Sequence, residues 1–142
     1  MNENKQNWIG RLSNSIALEN TFGGKQPSLD RLRLAQLVMG EIGDIHISLT
    51  FLELPENSPA RWVRKGCDRV QLRLSFYDLK KLTVTGGSHE GNLDVSATFG
   101  PEGEFKISSS QFNIELRYGF VTADLYPFNS TVFEEPIAWY RR

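Results

Sequence analysis

Apolar and polar residues alternate along four segments of the chain. Every second residue is apolar at positions 45–51, 70–76, 93–99 and 112–120. A period of two is typical of β-strands that bury one face and leave the other in water. Shorter apolar runs predict three further strands at positions 32–38, 79–85 and 105–108. The pattern therefore predicts about seven strands.

The N-terminal segment has a helical period instead. The residues spaced as one helix face are Trp8, Ile9, Leu12 and Ile16. The connections between the predicted strands are mostly short, which favours antiparallel neighbours because parallel pairs need long crossovers. We therefore predict an α+β, mainly β fold. It consists of one or two short N-terminal helices followed by an antiparallel, twisted sheet of about seven strands, either a meander or a partly closed barrel.

The length of 142 residues suits a single domain. We expect short helices in residues 1–26, the sheet in residues 27–126 and an irregular segment in residues 127–142. One connection, Pro55 to Asp68, is long and carries Trp62 in its middle. Trp62 would either pin this loop onto the sheet or stand exposed as a contact residue. Burial favours the first role, because a large aromatic side chain gains most when it leaves water.

Composition places the chain among globular proteins. It is 39% hydrophobic and 23% charged, with a net charge of -1, which does not suit a uniformly basic nucleic-acid binder. The single cysteine, Cys67, cannot form an internal disulfide. No apolar stretch suits a signal peptide or a membrane span. We expect a cytoplasmic protein without membrane association.

Residues that could carry catalysis or bind a metal are few. Two histidines and one cysteine do not supply the three or four ligands of a zinc site. His46 lies on the polar side of an alternating strand and is predicted to be solvated, whereas His89 is expected at a hairpin tip. Cys67 is expected to be an ordinary thiol at the start of a strand. The sequence predicts no catalytic residue, no metal site and no cofactor.

Charge is distributed unevenly along the chain. Seven basic and two acidic residues lie between Arg61 and Lys81, and eight acidic and two basic residues lie between positions 82 and 135. These charges either cancel across neighbouring strands or form a dipolar surface that steers a charged partner. The basic stretch Arg61–Lys81 leaves a nucleic-acid-binding module as one alternative function, with a steep salt dependence of binding. A small-ligand-binding β domain is another and requires an apolar pocket.

Three motifs in the middle of the chain form a distinctive set. They are Pro55 followed by Pro59-x-Arg61-Trp62, then Val70-Gln71-Leu72-x-Leu74-x-Phe76-x-Asp78, then Leu82-x-Val84-x-Gly86. This set resembles the immunity protein 50 family of bacteria. The resemblance extends to about residue 120 and is strongest between Pro55 and Gly86.

The resemblance implies a non-catalytic protein whose partner is a cognate toxin domain of a polymorphic toxin system. Such a protein would neutralise the toxin by binding it, through a surface of roughly 800 Å² on each partner. A nuclease toxin carries a positive cleft, so a protein that blocks one would present acids. We therefore expect toxin contacts from four acidic residues: Glu102, Glu104, Glu134 and Glu135.

Overall fold

The computed structural model describes residues 7–23, 25–86 and 94–131. Within these residues the chain forms eight strands and three short helical segments. The strands are β1 (Leu32–Met39), β2 (Ile45–Phe51), β3 (Arg69–Tyr77), β4 (Lys81–Gly86), β5 (Ser96–Gly100), β6 (Glu104–Ser108), β7 (Phe112–Arg117) and β8 (Phe120–Phe128). The helical segments are a 3-10 turn (Ile9–Arg11), α1 (Ser15–Phe22) and α2 (Ala60–Arg64).

The strands divide between two four-stranded sheets. The first sheet has the order β1-β2-β3-β8 and the second the order β4-β7-β6-β5, with antiparallel pairing throughout. The predicted class, α+β and mainly β with antiparallel strands, is confirmed. The single sheet of about seven strands is replaced by two sheets with an eighth strand, and the described strands do not close into a barrel.

The two sheets face each other across one core. Phe76 of the first sheet lies 4.8 Å from Phe105 and 4.9 Å from Tyr118, measured between ring centroids. The apolar residues of β2 and β3 are paired in register on this inner face, for example Ile47 with Leu74. Strict alternation along the strands thus buries one face of each sheet, as the sequence pattern requires.

Within the described residues, the chain crosses between the sheets at two adjacent places, after β3 and after β7. The amide of Gly119 donates to the carbonyl of Tyr77 at 2.9 Å, and the amide of Lys80 donates to the carbonyl of Arg117 at 2.8 Å. The crossing at Gly119 shifts the alternation by one residue, so that Val121 is buried and Phe120 is 49% exposed. The prediction of one strand over residues 112–120 was therefore wrong, because such a shift moves every later side chain to the opposite face.

The N-terminal helices cover part of the core. Trp8 stacks on Phe99 and donates from Nε1 to the carbonyl of Pro27 at 2.8 Å. Helix α1 buries Leu18 and Phe22, whereas Ile16, which was predicted on the apolar face, is 71% exposed. The difference arises because the segment is a 3-10 turn followed by a separate α-helix, so one helical period does not run through it.

A side chain of the N-terminal segment completes the free edge of β8. The Asn14 Nδ2 donates to the carbonyl of Ala123 at 2.8 Å, and the Asn14 Oδ1 accepts from the amide of Ala123 at 3.1 Å. The amide of Ser13 also donates to the carbonyl of Val121 at 2.7 Å. These bonds satisfy backbone groups that an edge strand otherwise leaves available to other chains.

Candidate protein-binding surface

The side of the first sheet that faces away from the core presents an organised surface, which we call the open face. Its residues follow from the strand register, and cross-strand neighbours run from β1 through β2 and β3 to β8. Those residues are Arg33, Gln36 and Val38 on β1, His46, Ser48 and Thr50 on β2, Arg69, Gln71, Arg73, Ser75 and Tyr77 on β3, and Phe120, Thr122, Asp124, Tyr126 and Phe128 on β8. A register shift between Leu34 and Gln36 keeps the polar residues of β1 on this face.

A hydrogen-bonded network fixes one end of the open face. The ring of His46 lies 2.8 Å from the Ser75 hydroxyl through Nδ1 and 2.7 Å from the Asp44 carboxylate through Nε2. The amide of Ile42 also donates to Asp44 at 3.2 Å. The hydrogen bond from His46 is the largest influence that holds the pKa of Asp44 below its ordinary value, and it outweighs burial, which acts the other way.

This network corrects the prediction for His46. The side chain was expected to be solvated, but it is only 18% exposed and both ring nitrogens are hydrogen-bonded. The three side-chain types are those of a hydrolase triad, yet Ser75 is buried within a central strand. A nucleophile must reach a substrate carbonyl, so this arrangement suits a structural network. Its effect is to hold His46 in one orientation.

Aromatic rings extend from His46 across the open face. His46 meets Tyr77 edge to face, with ring centroids 6.2 Å apart. Tyr77 in turn stacks on Phe120 at 4.9 Å, with an angle of 19° between the ring planes. Farther along β8, Tyr126 is 48% exposed. The rings of His46, Tyr77 and Phe120 are therefore held by contacts with one another.

The charges of the open face are mostly positive. Among the described residues at its register positions, the charged ones are Arg33, Arg69, Arg73 and one acid, Asp124. Arg69 approaches Asp68 at 3.7 Å, whereas Arg33 and Arg73 make no ion pair within the described ranges. Arg33 is exposed at the edge of the sheet, whereas Arg73 is half-buried and lies opposite Asp124 in the strand register.

The outward side of the second sheet has a different composition. It forms a depression of about 550 Å³ whose charged lining residues are Lys81, Glu104, Lys106, Glu115 and Arg117. Arg117 lies in register between Lys81 and Glu104, and Lys106 approaches Glu115 at 3.9 Å. A small-molecule site is usually enclosed and lined mainly by apolar groups. The positive and negative charges of this depression largely offset one another, as on an ordinary solvated surface.

The predicted glutamate contacts do not form one acidic surface in the described chain. Glu102 lies at the tip of the β5–β6 turn with a φ of +55°, and Glu104 is paired in register with Arg117. Glu134 and Glu135 lie outside the described residues. Other acids of the same stretch are dispersed, since Glu115 lies on the second sheet and Asp124 on the first.

The basic stretch from Arg61 to Lys81 is also divided by the fold. Arg61 and Arg64 belong to α2, Arg69 and Arg73 to β3, and Lys81 begins the second sheet. A nucleic-acid groove needs charges that follow one backbone path. The linear clustering of these residues in the sequence therefore does not correspond to one basic surface.

Trp62 is a packing residue in this structure. It lies on α2 within the long connection, is 5% exposed and meets Phe22 of α1 edge to face at 6.1 Å. An exposed contact role does not fit that burial. Cys67 is partly buried, and His89 lies outside the described residues.

No group of three or more His, Cys, Asp or Glu residues in residues 7–23, 25–86 and 94–131 could hold a metal ion. In the same ranges, no helix has both the length and the apolar character needed to cross a membrane.

Sequence reasoning missed the open face as a candidate site. The relevant residues are dispersed from position 33 to position 128, and only the strand register brings them together. One signal was present: Arg, Tyr and Phe occupy the polar positions of β3 and β8, where Lys, Glu or Thr are more usual on a solvated strand.

The fold and the open face define a small two-sheet protein whose most organised surface has the composition of a protein-binding site. A family model described as Immunity protein 50 matches residues 14–124, well over half of the chain. The chain belongs to this family. No curated protein and no solved structure matches the chain.

Proposed function

We propose that this protein is a non-catalytic immunity protein that binds a cognate bacterial toxin domain and blocks its activity. The observation that carries this proposal is the family match over residues 14–124. The toxin is a domain of a polymorphic toxin system, and the protein acts in the cytoplasm, where it protects the cell that makes the toxin.

The physical requirement for such a role is a rigid surface that is formed before the partner arrives. Neutralisation by binding needs a slow dissociation rate, and preorganisation reduces the entropy lost on association. Two sheets packed over one core meet this requirement, because outward side chains can suit a partner without disturbing the inner faces. The side-chain network of Asp44, His46 and Ser75 adds to that rigidity.

The four glutamates remain predicted contacts. Glu102 is exposed at the tip of the β5–β6 turn, where a partner can reach its carboxylate. Glu104 lies among basic neighbours on the second sheet. Their positive charge weakens the attraction of its carboxylate for a partner. Reversing the charge of Glu102, Glu104, Glu134 and Glu135 tests the prediction, because unchanged toxin affinity and unchanged salt dependence would contradict it.

The experiment that tests the proposed function is a rescue of cells from toxicity. The C-terminal domain of a large secreted protein encoded beside this gene is expressed alone and together with this chain, and surviving cells are counted. Rescue with co-purification of a stoichiometric complex is the expected result. A toxic domain whose effect this chain does not change, and which it does not bind, would contradict the proposal.

A further inference from the structure

We infer that the open face of the first sheet is the surface that holds the toxin, and that the toxin docks there with a surface rich in carboxylates. This inference rests on the proposed function and adds to it the docking surface and the chemistry of the partner. It also locates the main contact away from the glutamates of the β5–β6 turn.

The residue composition of the open face supports this assignment. The cores of protein interfaces are enriched in Tyr, Phe and Arg and depleted in Lys and Glu. The open face carries three arginines, two tyrosines and two phenylalanines, and its register positions include neither lysine nor glutamate. The outward face of the second sheet shows the reverse, with Lys81, Glu104, Lys106 and Glu115 around its depression.

The aromatic residues on the open face have the properties of interface anchors. Hot spots of binding energy are enriched in Trp, Tyr and Arg, and rings lose little conformational entropy when a partner covers them. Tyr77 is held between His46 and Phe120, whereas Tyr126 projects from β8 and is 48% exposed. Val38, 40% exposed at the opposite edge on β1, extends the apolar contact area.

The arginines define the chemistry of the partner. Arg33 and Arg73 have no ion-pair partner within the described residues, and Asp124 is the only acid at the register positions of this face. A guanidinium group binds a carboxylate through two parallel hydrogen bonds, which provides both energy and orientation. Arg73 has Asp124 as its cross-strand neighbour, which offsets part of its charge, so Arg33 is the stronger attraction for a carboxylate. Charge complementarity therefore favours a toxin surface with carboxylates, above all opposite Arg33.

The dimensions of the open face are compatible with a stable complex. Four strands spaced about 4.8 Å apart and up to nine residues long, at about 3.3 Å per residue, span roughly 19 by 30 Å. That projection is at most about 570 Å², because β1 and β2 have fewer than nine residues and Ser48, Thr50 and Ser75 at the centre of the face are already buried. Side-chain relief and the surrounding loops extend it toward the roughly 800 Å² per partner of standard complexes.

The carboxylate-rich partner surface has a consequence for the mode of blockade. A cleft that binds nucleic acid is positively charged, so it would repel the arginines of the open face. If the toxin has such a cleft, this protein therefore binds beside it and obstructs access to the active site from there. Otherwise, the active site of the toxin acts on a substrate that is not a polyanion.

The test compares affinities of matched variants for one probe, the purified toxin domain encoded beside this gene, inactivated at its catalytic residue. Arg33→Glu and Lys81→Glu reverse exposed charges on the edge strands of the first and second sheets. Tyr126→Ala and Val84→Ala truncate exposed apolar residues of the two sheets, which are 48% and 55% exposed. Arg73→Glu and Arg73→Lys test a central position, and thermal melting verifies that every variant is folded.

We expect Arg33→Glu to weaken binding about tenfold or more, with a slower association rate and a smaller salt dependence. Tyr126→Ala should weaken binding about 30-fold, the factor of a typical hot spot. Arg73→Lys should retain part of the affinity that Arg73→Glu loses. The second-sheet variants, Lys81→Glu and Val84→Ala, should stay within about twofold of the wild type.

Three other outcomes would overturn the inference, each in a distinguishable way. Wild-type affinity in all first-sheet variants, with binding lost on charge reversal of Glu102, would leave the proposed function intact and move the docking surface to the β5–β6 turn. Submicromolar binding of a mixed-sequence RNA or DNA oligonucleotide, abolished by Arg33→Glu, would assign the open face to nucleic acid. A wild-type protein that does not bind the toxin domain would overturn the proposed function, and this inference with it.

Discussion

Truncation of Trp62 tests whether the long connection is held by packing. Helix α2 has only five residues, and its N-cap residue, Pro59, provides no side-chain hydrogen bond to the helix end. Such a short helix is not stable by itself. Its main fixed point is Trp62, which is 5% exposed and lies edge to face against Phe22. We expect Trp62→Ala to destabilise the protein strongly.

The magnitude follows from the burial of the indole. Replacement of a buried tryptophan by alanine costs about 3–5 kcal/mol, which combines lost transfer energy with the cavity left behind. For a chain of this length, this loss corresponds to a decrease in Tm of roughly 10–15 °C. Since typical domains are stable by about 5–15 kcal/mol, the variant should remain folded at low temperature.

The assay is urea unfolding monitored by circular dichroism, with toxin affinity measured on the folded fraction. Trp62→Phe is the control, because it retains an aromatic ring against Phe22 and should lose less than half as much stability. We expect the affinity of folded Trp62→Ala to stay near the wild-type value. A stability loss below about 1 kcal/mol, together with a large loss of affinity, would refute the packing role and make Trp62 a contact residue.

Three further predictions concern stability. Asp44→Asn should reduce the free energy of unfolding at pH 7, and its difference in stability from the wild type should shrink in acid. The hydrogen bond from His46 keeps the pKa of Asp44 below its ordinary value of 3.8, so the wild type loses this contribution as the pH falls through the lowered pKa. Urea midpoints at several pH values measure this change. Glu102→Gly should raise the free energy of unfolding by about 0.5–1 kcal/mol in the same assay, because glycine accepts a φ of +55° without strain. Asn14→Ala should lower it by about 1–3 kcal/mol and promote self-association in light scattering, because both backbone groups of Ala123 lose their partner at a strand edge.

Each of these predictions has a control or an outcome that would contradict it. A difference between Asp44→Asn and the wild type that stays constant from pH 7 to pH 2 would contradict the linkage. Glu102→Ala removes the same carboxylate but keeps the strained conformation, so equal stabilisation by alanine would exclude strain relief as the cause. Asn14→Asp retains an acceptor for the Ala123 amide, and we expect an intermediate loss. Unchanged stability in Asn14→Ala would mean that water replaces the side chain at no cost.

The strands that the sequence predicted best are those with an uninterrupted period of two. Strands β2 and β3 lie within one residue of the predicted segments, because both bury one face continuously against the core. Strand β8 was missed because the alternation of β7 continues to Phe120 in the linear sequence. The turn at Gly119 depends on its contact with Tyr77, which is 42 positions away and has no local signature.

The candidate site was less predictable than the fold for a related reason. Arg33 and Tyr126 belong to one cross-strand row, through Thr50 and Gln71, but this row exists only after β8 has paired with β3. His46 was taken as solvated because its partners, Asp44 and Ser75, do not form a recognisable motif along the chain. Charge counted along the sequence was misleading, since neighbouring charges are distributed over two sheets.

The central claim is that this protein neutralises a toxin domain by stoichiometric binding. The most direct measurement titrates the active toxin domain with increasing amounts of this chain and follows the remaining toxin activity. The account predicts that activity falls in proportion to the protein added and disappears at about one equivalent. Complete inactivation by a small fraction of an equivalent would indicate catalysis, and full activity at several equivalents would show that the toxin is not blocked by this protein.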